Sequence, residues 1–215
     1  MPIVSGIISD MRNWLLIALL LSLVAFAKDF TPPPAKNAAT YPLHETHANE
    51  HLTIAVEPFS ESQMADAKVK YHQHDLTPLR LIITNDGDSP VPLIDLRVEL
   101  ITGARDKVPP ATEDDIARRI GRHDKNPDRT TRVSPFPRIP GVGSTKKPRV
   151  SADKENEIEN LMFHAKAVEP HSTQAGFLFF DTQGLSDPLH NARLYITGLT
   201  DSHGNQIMYF EIPLQ

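Results

Sequence analysis

The 215-residue chain has no cysteine. That absence excludes disulfide staples, thiolate zinc sites, a cysteine nucleophile and a lipid-modified N-terminal cysteine. Any metal would have to be held by histidine and carboxylate. Aromatic residues are few, at 7%. Extended apolar runs are scarce too: the run Leu15–Ala27 (LLIALLLSLVAFA) is 13 residues long, too short to cross a hydrocarbon core of roughly 30 Å as a helix without strain. An average domain takes roughly 100–200 residues, so the chain has room for one domain with a real core and some irregular extra chain. Proline, by contrast, is plentiful, with 19 residues, and the formal net charge is −5.

The apolar run suits the hydrophobic region of a signal peptide, and it ends in Ala25-Phe26-Ala27, an A-x-A pattern followed by Lys28-Asp29. Residues 1–27 are therefore expected to be an export signal cleaved after Ala27, which would put the mature chain in the periplasm or outside the cell. Asp10 falls where such signals are basic, whereas reading from Met11 places Arg12 ahead of the apolar run and favours Met11 as the start. The competing reading is an uncleaved anchor, lengthened by Ile7 and Ile8 and marked by Trp14. In that case the segment is the chain's contact with a membrane. Residues 28–50 carry Pro32-Pro33-Pro34 and a polar, Ala-rich tract without a period, which predicts a flexible tether.

From His51 onward, short runs alternate with a period of two, the mark of half-buried strands. Leu52, Ile54 and Val56 share one face, Leu79, Leu81 and Ile83 another, and Ile94, Leu96, Val98 and Leu100 point inward against Asp95, Arg97 and Glu99. Further strands are expected at 163–168, 176–181, 192–199 and 206–213, the last two joined by the turn residues Asp201-Ser202-His203-Gly204-Asn205. Phe177-Leu178-Phe179-Phe180 is apolar on both faces, as in a central strand covered on both sides. About seven short strands with Asn, Asp, Gly and Pro punctuation predict a mainly β fold, an immunoglobulin-like antiparallel β-sandwich spanning 51–215.

That domain carries an insertion at about 103–160. Thr112-Glu113-Asp114-Asp115 supplies an N-cap hydroxyl and three acids, with Ile116 and Ile120 one turn apart and Gly121 as a stop. Ser60–Tyr71 is a second, weaker helix candidate, with Met64, Ala67, Lys68 and Tyr71 near one side. Glu155, Glu157 and Glu159 read as a solvated face, either at a strand start or on a helix beside Ile158, Leu161 and Met162. Between the first helix and Phe163 lies a long stretch with Pro127, Pro135, Pro137, Pro140 and Pro148, long enough to need a reason. From Arg118 to Arg149 there are ten Lys/Arg against Asp124 and Asp128, a net of +8, which leaves 12 basic and 25 acidic residues elsewhere, a net of −13. A basic loop of this kind can meet an anionic envelope surface or an acidic partner. Its candidate contact residues are Arg129, Arg132, Arg138, Lys146, Lys147 and Arg149. Nucleic acid is not expected, since Phe136 is the only aromatic in the segment and offers no stacking platform.

Ten histidines is a high count, and five fall at His44, His47, His51, His72 and His74. Neutral imidazole binds metals; His72 and His74 would share one strand face, and His44, His47 and His51 one helix face. No known closed-site spacing is matched, however. The HETHANEH stretch is not a zincin motif, because its second histidine follows Glu45 by two residues and not three. Nor is there a G-x-S-x-G elbow, and Gly141–Lys147 does not satisfy the phosphate-loop pattern. No enzyme activity and no cofactor are expected.

The stretch from Pro78 to Leu93, a strand followed by Asn85-Asp-Gly87-Asp-Ser-Pro90 and another strand, resembles the second-to-third strand passage of bacterial immunoglobulin-like domains. With Gly176–Asp181 and Tyr209–Pro213, the chain resembles exported bacterial proteins built on such a domain. The resemblance implies fold and compartment and supplies no site. Periplasmic copper chaperones share a sandwich and an N-x-G turn, but their paired Met and His ligand spacing is absent here. The expected function is that of an exported, envelope-located binding or structural accessory module without enzymatic activity, with a His-based periplasmic metal-binding protein as the alternative.

Overall fold

The computed structural model describes residues 30–123 and 150–214. The described residues are mainly β, with ten strands, all paired antiparallel, and two short helices. The strands are β1 (His44–His47), β2 (Leu52–Pro58), β3 (Leu76–Asn85), β4 (Val91–Pro92), β5 (Arg97–Ile101), β6 (Lys107–Val108), β7 (Ala167–Val168), β8 (Ser172–Asp181), β9 (Arg193–Thr197) and β10 (Phe210–Pro213). The helices are α1 (Glu113–His123) and α2 (Ala152–Leu161). One sheet has the order β1-β2-β3-β8, a second β10-β9-β5-β6, and β4 pairs with β7.

Alternation decides what each sheet face meets. Leu52, Ile54 and Val56 of β2, Leu79, Leu81 and Ile83 of β3, and Leu178 and Phe180 of β8 form one apolar cluster with Val98 and Leu100 of β5, Leu194 and Ile196 of β9, and Phe210 and Ile212 of β10. Removing this much apolar surface from water is the main stabilising contribution, at about 1.5–3 kcal/mol for each large side chain. The intervening residues of the first sheet are covered as well, which is why β3 is buried along its entire length. Phe177 and Phe179 join Ile116 and Ile120 of α1 and Ile158 and Leu161 of α2 in a second cluster. Ala55 and Ile82 lie beneath Ala38 and Tyr41 in a third. The outer face of the second sheet, by contrast, carries Arg97, Glu99, Arg193, Tyr195 and Glu211, all at least partly exposed.

The flexible tether expected at 28–50 is not what the described part of that stretch forms. Asn37 accepts a hydrogen bond from Ala39 N and caps a one-turn 3-10 helix at Ala38–Thr40. Ala38 N donates to Thr84 Oγ1 at 2.8 Å, and β1 extends the first sheet. Deeper in the same layer, Arg80 donates to the Pro33 carbonyl at 2.7 Å and lies 3.6 Å from Glu57 Oε2. Residues 30–41 thus form a strap across the sheet, because its outer face has apolar and polar groups that need covering.

Other expectations shift for local reasons. Ser60–Tyr71 does not form a helix, since the N–H groups of Lys68 and Val69 that would complete one go to the Glu157 carboxylate, at 2.7 and 3.0 Å. Ile94 is 82% exposed: Leu96 N donates to Leu93 O in a turn, and the alternation starts only at Arg97. The strand expected at 163–168 is reduced to Ala167–Val168. Phe177–Phe180 belongs to an edge strand and not a central one, yet both its faces are buried. Its free edge is closed by Ala111 N donating to Phe179 O and Phe163 N to Phe177 O. Gly176 permits that closure, because a Cβ there would lie 2.5 Å from the Phe163 Cα. The helix from Glu113 runs past Gly121 to His123. The hairpin at 201–205 forms as expected, with Asp201 accepting from His203 N and Asn205 N, both at 2.8 Å. Those bonds, the one from the Asn205 side chain foremost, hold the Asp201 carboxyl below its usual range.

Candidate functional site

The root of the basic segment is α1. Thr112 caps it: Asp115 N donates to Thr112 Oγ1 at 3.2 Å, and the Thr112 hydroxyl donates back to Asp115 Oδ2 at 2.7 Å. That hydroxyl bond comes first among the causes that hold the Asp115 carboxyl below its usual range. Ile116 and Ile120 are fully buried against the first sheet, so the helix turns Arg118 and Arg119 toward an open cleft of about 460 Å³. Val108, Pro109, Pro110 and Ala111 form one side of it, and Asp181 and Gln183 the other.

Charge in this cleft is balanced. Arg118 pairs with Asp115, and Arg119 pairs with Asp181 while donating to Gln183 Oε1 at 2.6 Å. The first two basic residues of the run are therefore neutralised by the chain's own acids: Arg118 within α1 itself, and Arg119 by Asp181, which fixes α1 to the end of β8. Unbalanced positive charge begins beyond them. Arg129, Arg132, Arg138, Lys146, Lys147 and Arg149 lie outside the described residues. The chain returns at Val150, which is buried in the same cluster as Ile116 and Ile120, so both ends of the basic segment are fixed to one place on the body.

The return helix is held by a residue that the period had assigned to solvent. Glu157 is 8% exposed. Its two oxygens accept from Lys68 N and Val69 N, and the Tyr71 hydroxyl donates to Oε1 at 3.4 Å. Burial, with the Glu157 charge beside it, pushes the Tyr71 phenol well above its ordinary range. Glu155 and Glu159 remain exposed as expected. The contrast within one helix follows from rotation: Glu157, Ile158 and Leu161 share the inward face.

The five histidines do not converge. β1 is a strand, so His44, His47 and His51 have no common helix face. His44 Nδ1 donates to the Tyr41 carbonyl at 2.6 Å, and His47 stacks on Phe210 with ring centroids 3.8 Å apart. His51 occupies the β1–β2 turn at φ 51°. His72 and His74 lie in the one-turn helix Tyr71–His74 and not on a strand face; His72 donates from Nε2 to Phe59 O at 3.0 Å. Phe59 follows the end of β2 opposite to His51, so His72 lies roughly 20 Å along the strand from His51, and about 13 Å from His44, whose register partner is Ala55. Among the described residues, no three His, Asp or Glu side chains are grouped to hold a metal ion.

Asn85, at the end of β3, is almost fully buried. It accepts from Gly87 N at 2.9 Å and donates to Ser89 O at 2.8 Å and Val168 O at 3.1 Å, tying the β3–β4 turn to β7.

No protein-family model matches the chain, and no curated protein matches it. Among solved structures, a conserved hypothetical protein from Bacillus anthracis is similar over 88% of this chain and 94% of its own, at 9% identity and a TM-score of 0.29. A likeness at that level is distant and assigns no family.

Proposed function

We propose that the chain is an exported, envelope-located binding module, of immunoglobulin-like form, that contacts an anionic envelope component or acidic partner through the basic segment 118–149. The observation that carries this reading is the separation of charge: a net of +8 in that segment, of which Arg118 and Arg119 are paired with Asp115 and Asp181, against −13 elsewhere. Ile120 and Val150, close to the two ends of the excess charge, are both anchored on one cluster. Opposite charge held at a fixed place on a body draws a charged partner to that place. The strand orders favour the immunoglobulin-like form. β2-β3-β8 corresponds to strands A, B and E, and β10-β9-β5-β6 to G, F, C and C′, with β1 added at the edge. The sequence of residues 1–27 supports export.

The test is sedimentation of the chain with phosphatidylcholine vesicles that do or do not contain phosphatidylglycerol, alongside a polyanion column, at low and high salt. Binding is expected to weaken as salt rises. It should be lost when Arg129, Arg132, Arg138, Lys146, Lys147 and Arg149 are all changed to glutamine. Binding that ignores both salt and the six substitutions overturns the reading.

A further inference from the structure

Part of the second sheet's edge is left open by a proline. Thr102 N donates to Asp106 O at 3.0 Å, and β6 pairs with β5 at Leu100 opposite Val108. Two residues farther along, the same ladder would set Val98 opposite Pro110. Pro110 has no N–H to give, and it bridges Phe180 of β8 instead. The register fixes which way the Val98 backbone points. In an antiparallel strand the N–H and C=O of one residue face one side, and those of the next residue face the other. Thr102 and Leu100 face β6, so Val98 faces the same way, while Arg97, Glu99 and Ile101 face β9. Among the described residues, nothing pairs with the Val98 N–H or C=O, although Val98 is only 7% exposed. Buried backbone groups are normally paired. Two other edges are closed: Ala111 and Phe163 cover β8, and on β10 Glu211 N meets the Glu45 carboxylate while Pro213 has no N–H.

The open edge borders a groove of about 520 Å³, lined by Val98 with Leu93, Leu96, Leu178, Pro110 and Phe163. Its two charged neighbours on β5 differ. Glu99 is paired with Lys107 at 3.1 Å, whereas Arg97 is exposed and has no acid partner among the described residues. We propose that this edge takes an extended peptide of a partner protein, added antiparallel to β5, in which an apolar residue is followed by Asp or Glu. One peptide residue then supplies both missing partners: its N–H donates to Val98 O, and its C=O accepts from Val98 N. Directly opposed residues place their side chains on the same face, so the apolar side chain enters the groove. The next peptide residue lies opposite Arg97 on the outer face, where a carboxylate meets the unpaired guanidinium. The preceding one faces Glu99, already neutralised by Lys107, and needs no charge. Because β6 occupies the ladder from Leu100 onward, the pairing is confined to Arg97, Val98 and Glu99. The basic segment takes no part in it.

A capped peptide, Thr-Thr-Ile-Glu-Thr-Thr, labelled with a fluorophore and titrated with the full chain, reads the contact by fluorescence anisotropy. Saturable binding is expected. Methylating the isoleucine amide nitrogen removes the donor to Val98 O without altering the protein, and should weaken binding at least about tenfold. Arg97→Glu should reverse the charge preference, so that Thr-Thr-Ile-Lys-Thr-Thr binds this variant about threefold or more better than it binds the parent. The chain with the six glutamine substitutions should bind the first peptide as the parent does, which separates this contact from the basic segment. Absence of binding, indifference to N-methylation, an unchanged charge preference in the Arg97→Glu chain, or loss of binding with the six substitutions each overturns the proposal. A chain that forms dimers and takes no peptide overturns it too, and gives the edge to a second copy.

Discussion

Replacing Glu157 with glutamine isolates the least expected contact in the molecule. In the native chain, Lys68 N meets Oε2 at 2.7 Å, and Val69 N meets Oε1 at 3.0 Å. A glutamine side chain offers one carbonyl oxygen and one NH2, so either orientation turns a donor toward a buried N–H. An unsatisfied buried donor costs about 1–3 kcal/mol, and the remaining bond loses its charge assistance. The sum is about 2–4 kcal/mol. For a domain of this size, each kcal/mol lowers Tm by about 2–4 °C, so a fall of roughly 5–15 °C is expected. Glu155→Gln, one exposed position on the same helix, is the control and should stay within about 0.5 kcal/mol of the parent. Urea titration with fluorescence detection measures both, and an unchanged m-value certifies that the denatured states are comparable. If Glu157→Gln loses no more stability than Glu155→Gln, the carboxylate does not hold the 60–71 segment and the account of why that segment fails to form a helix is wrong.

Three other outcomes follow from the same contacts. Gly198 has φ +80°, and a Cβ there would lie 1.9 Å from Asp95 O, so Gly198→Ala should cost more than about 2 kcal/mol; a melting curve superimposable on the parent's would contradict this. Because the folded state holds the Tyr71 phenol protonated above its ordinary range, stability should be fully present below about pH 10, where the unfolded phenol ionises, and fall above it by up to about 1.4 kcal/mol per pH unit. Tyr71→Phe should flatten that alkaline decline, and an identical slope in the two proteins refutes the assignment. Arg80→Met removes the donor to the Pro33 carbonyl; limited trypsin digestion followed by mass spectrometry should then show faster cleavage after Lys36, and an unchanged rate would mean that the strap is held by its apolar contacts alone.

How much of the fold could be read from the chain depended on the range of the interaction. The period-two runs at Leu52–Val56, Leu79–Ile83 and Val98–Leu100 became strands because alternate residues face one cluster, a constraint that each run carries within itself. The Thr112 cap and the Asp201–Asn205 turn were legible for the same reason: every partner lies within four residues. The spacing of His44, His47 and His51 carries no such constraint: it would give a common face only on a helix, and β1 is a strand.

The features that escaped are polar side chains that satisfy distant backbone groups. Glu157 reaches Lys68 across 89 positions, Arg80 reaches Pro33 across 47, and Asn85 reaches Val168 across 83. Glu45 of β1 accepts from Glu211 N of β10 across 166, bridging the two sheets at their edge strands. A carboxylate or guanidinium at such a position has the same local sequence as one in solvent, so periodicity assigns it outward. Only the demand that buried N–H and C=O groups be paired selects it, and that demand arises after the sheets have assembled. The strap and the return helix are both fixed in this way. These polar contacts act together with the apolar packing of Phe30, Ile120, Val150, Ile158 and Leu161 to seat the strap and the two helices on sheets that the alternating apolar residues determine.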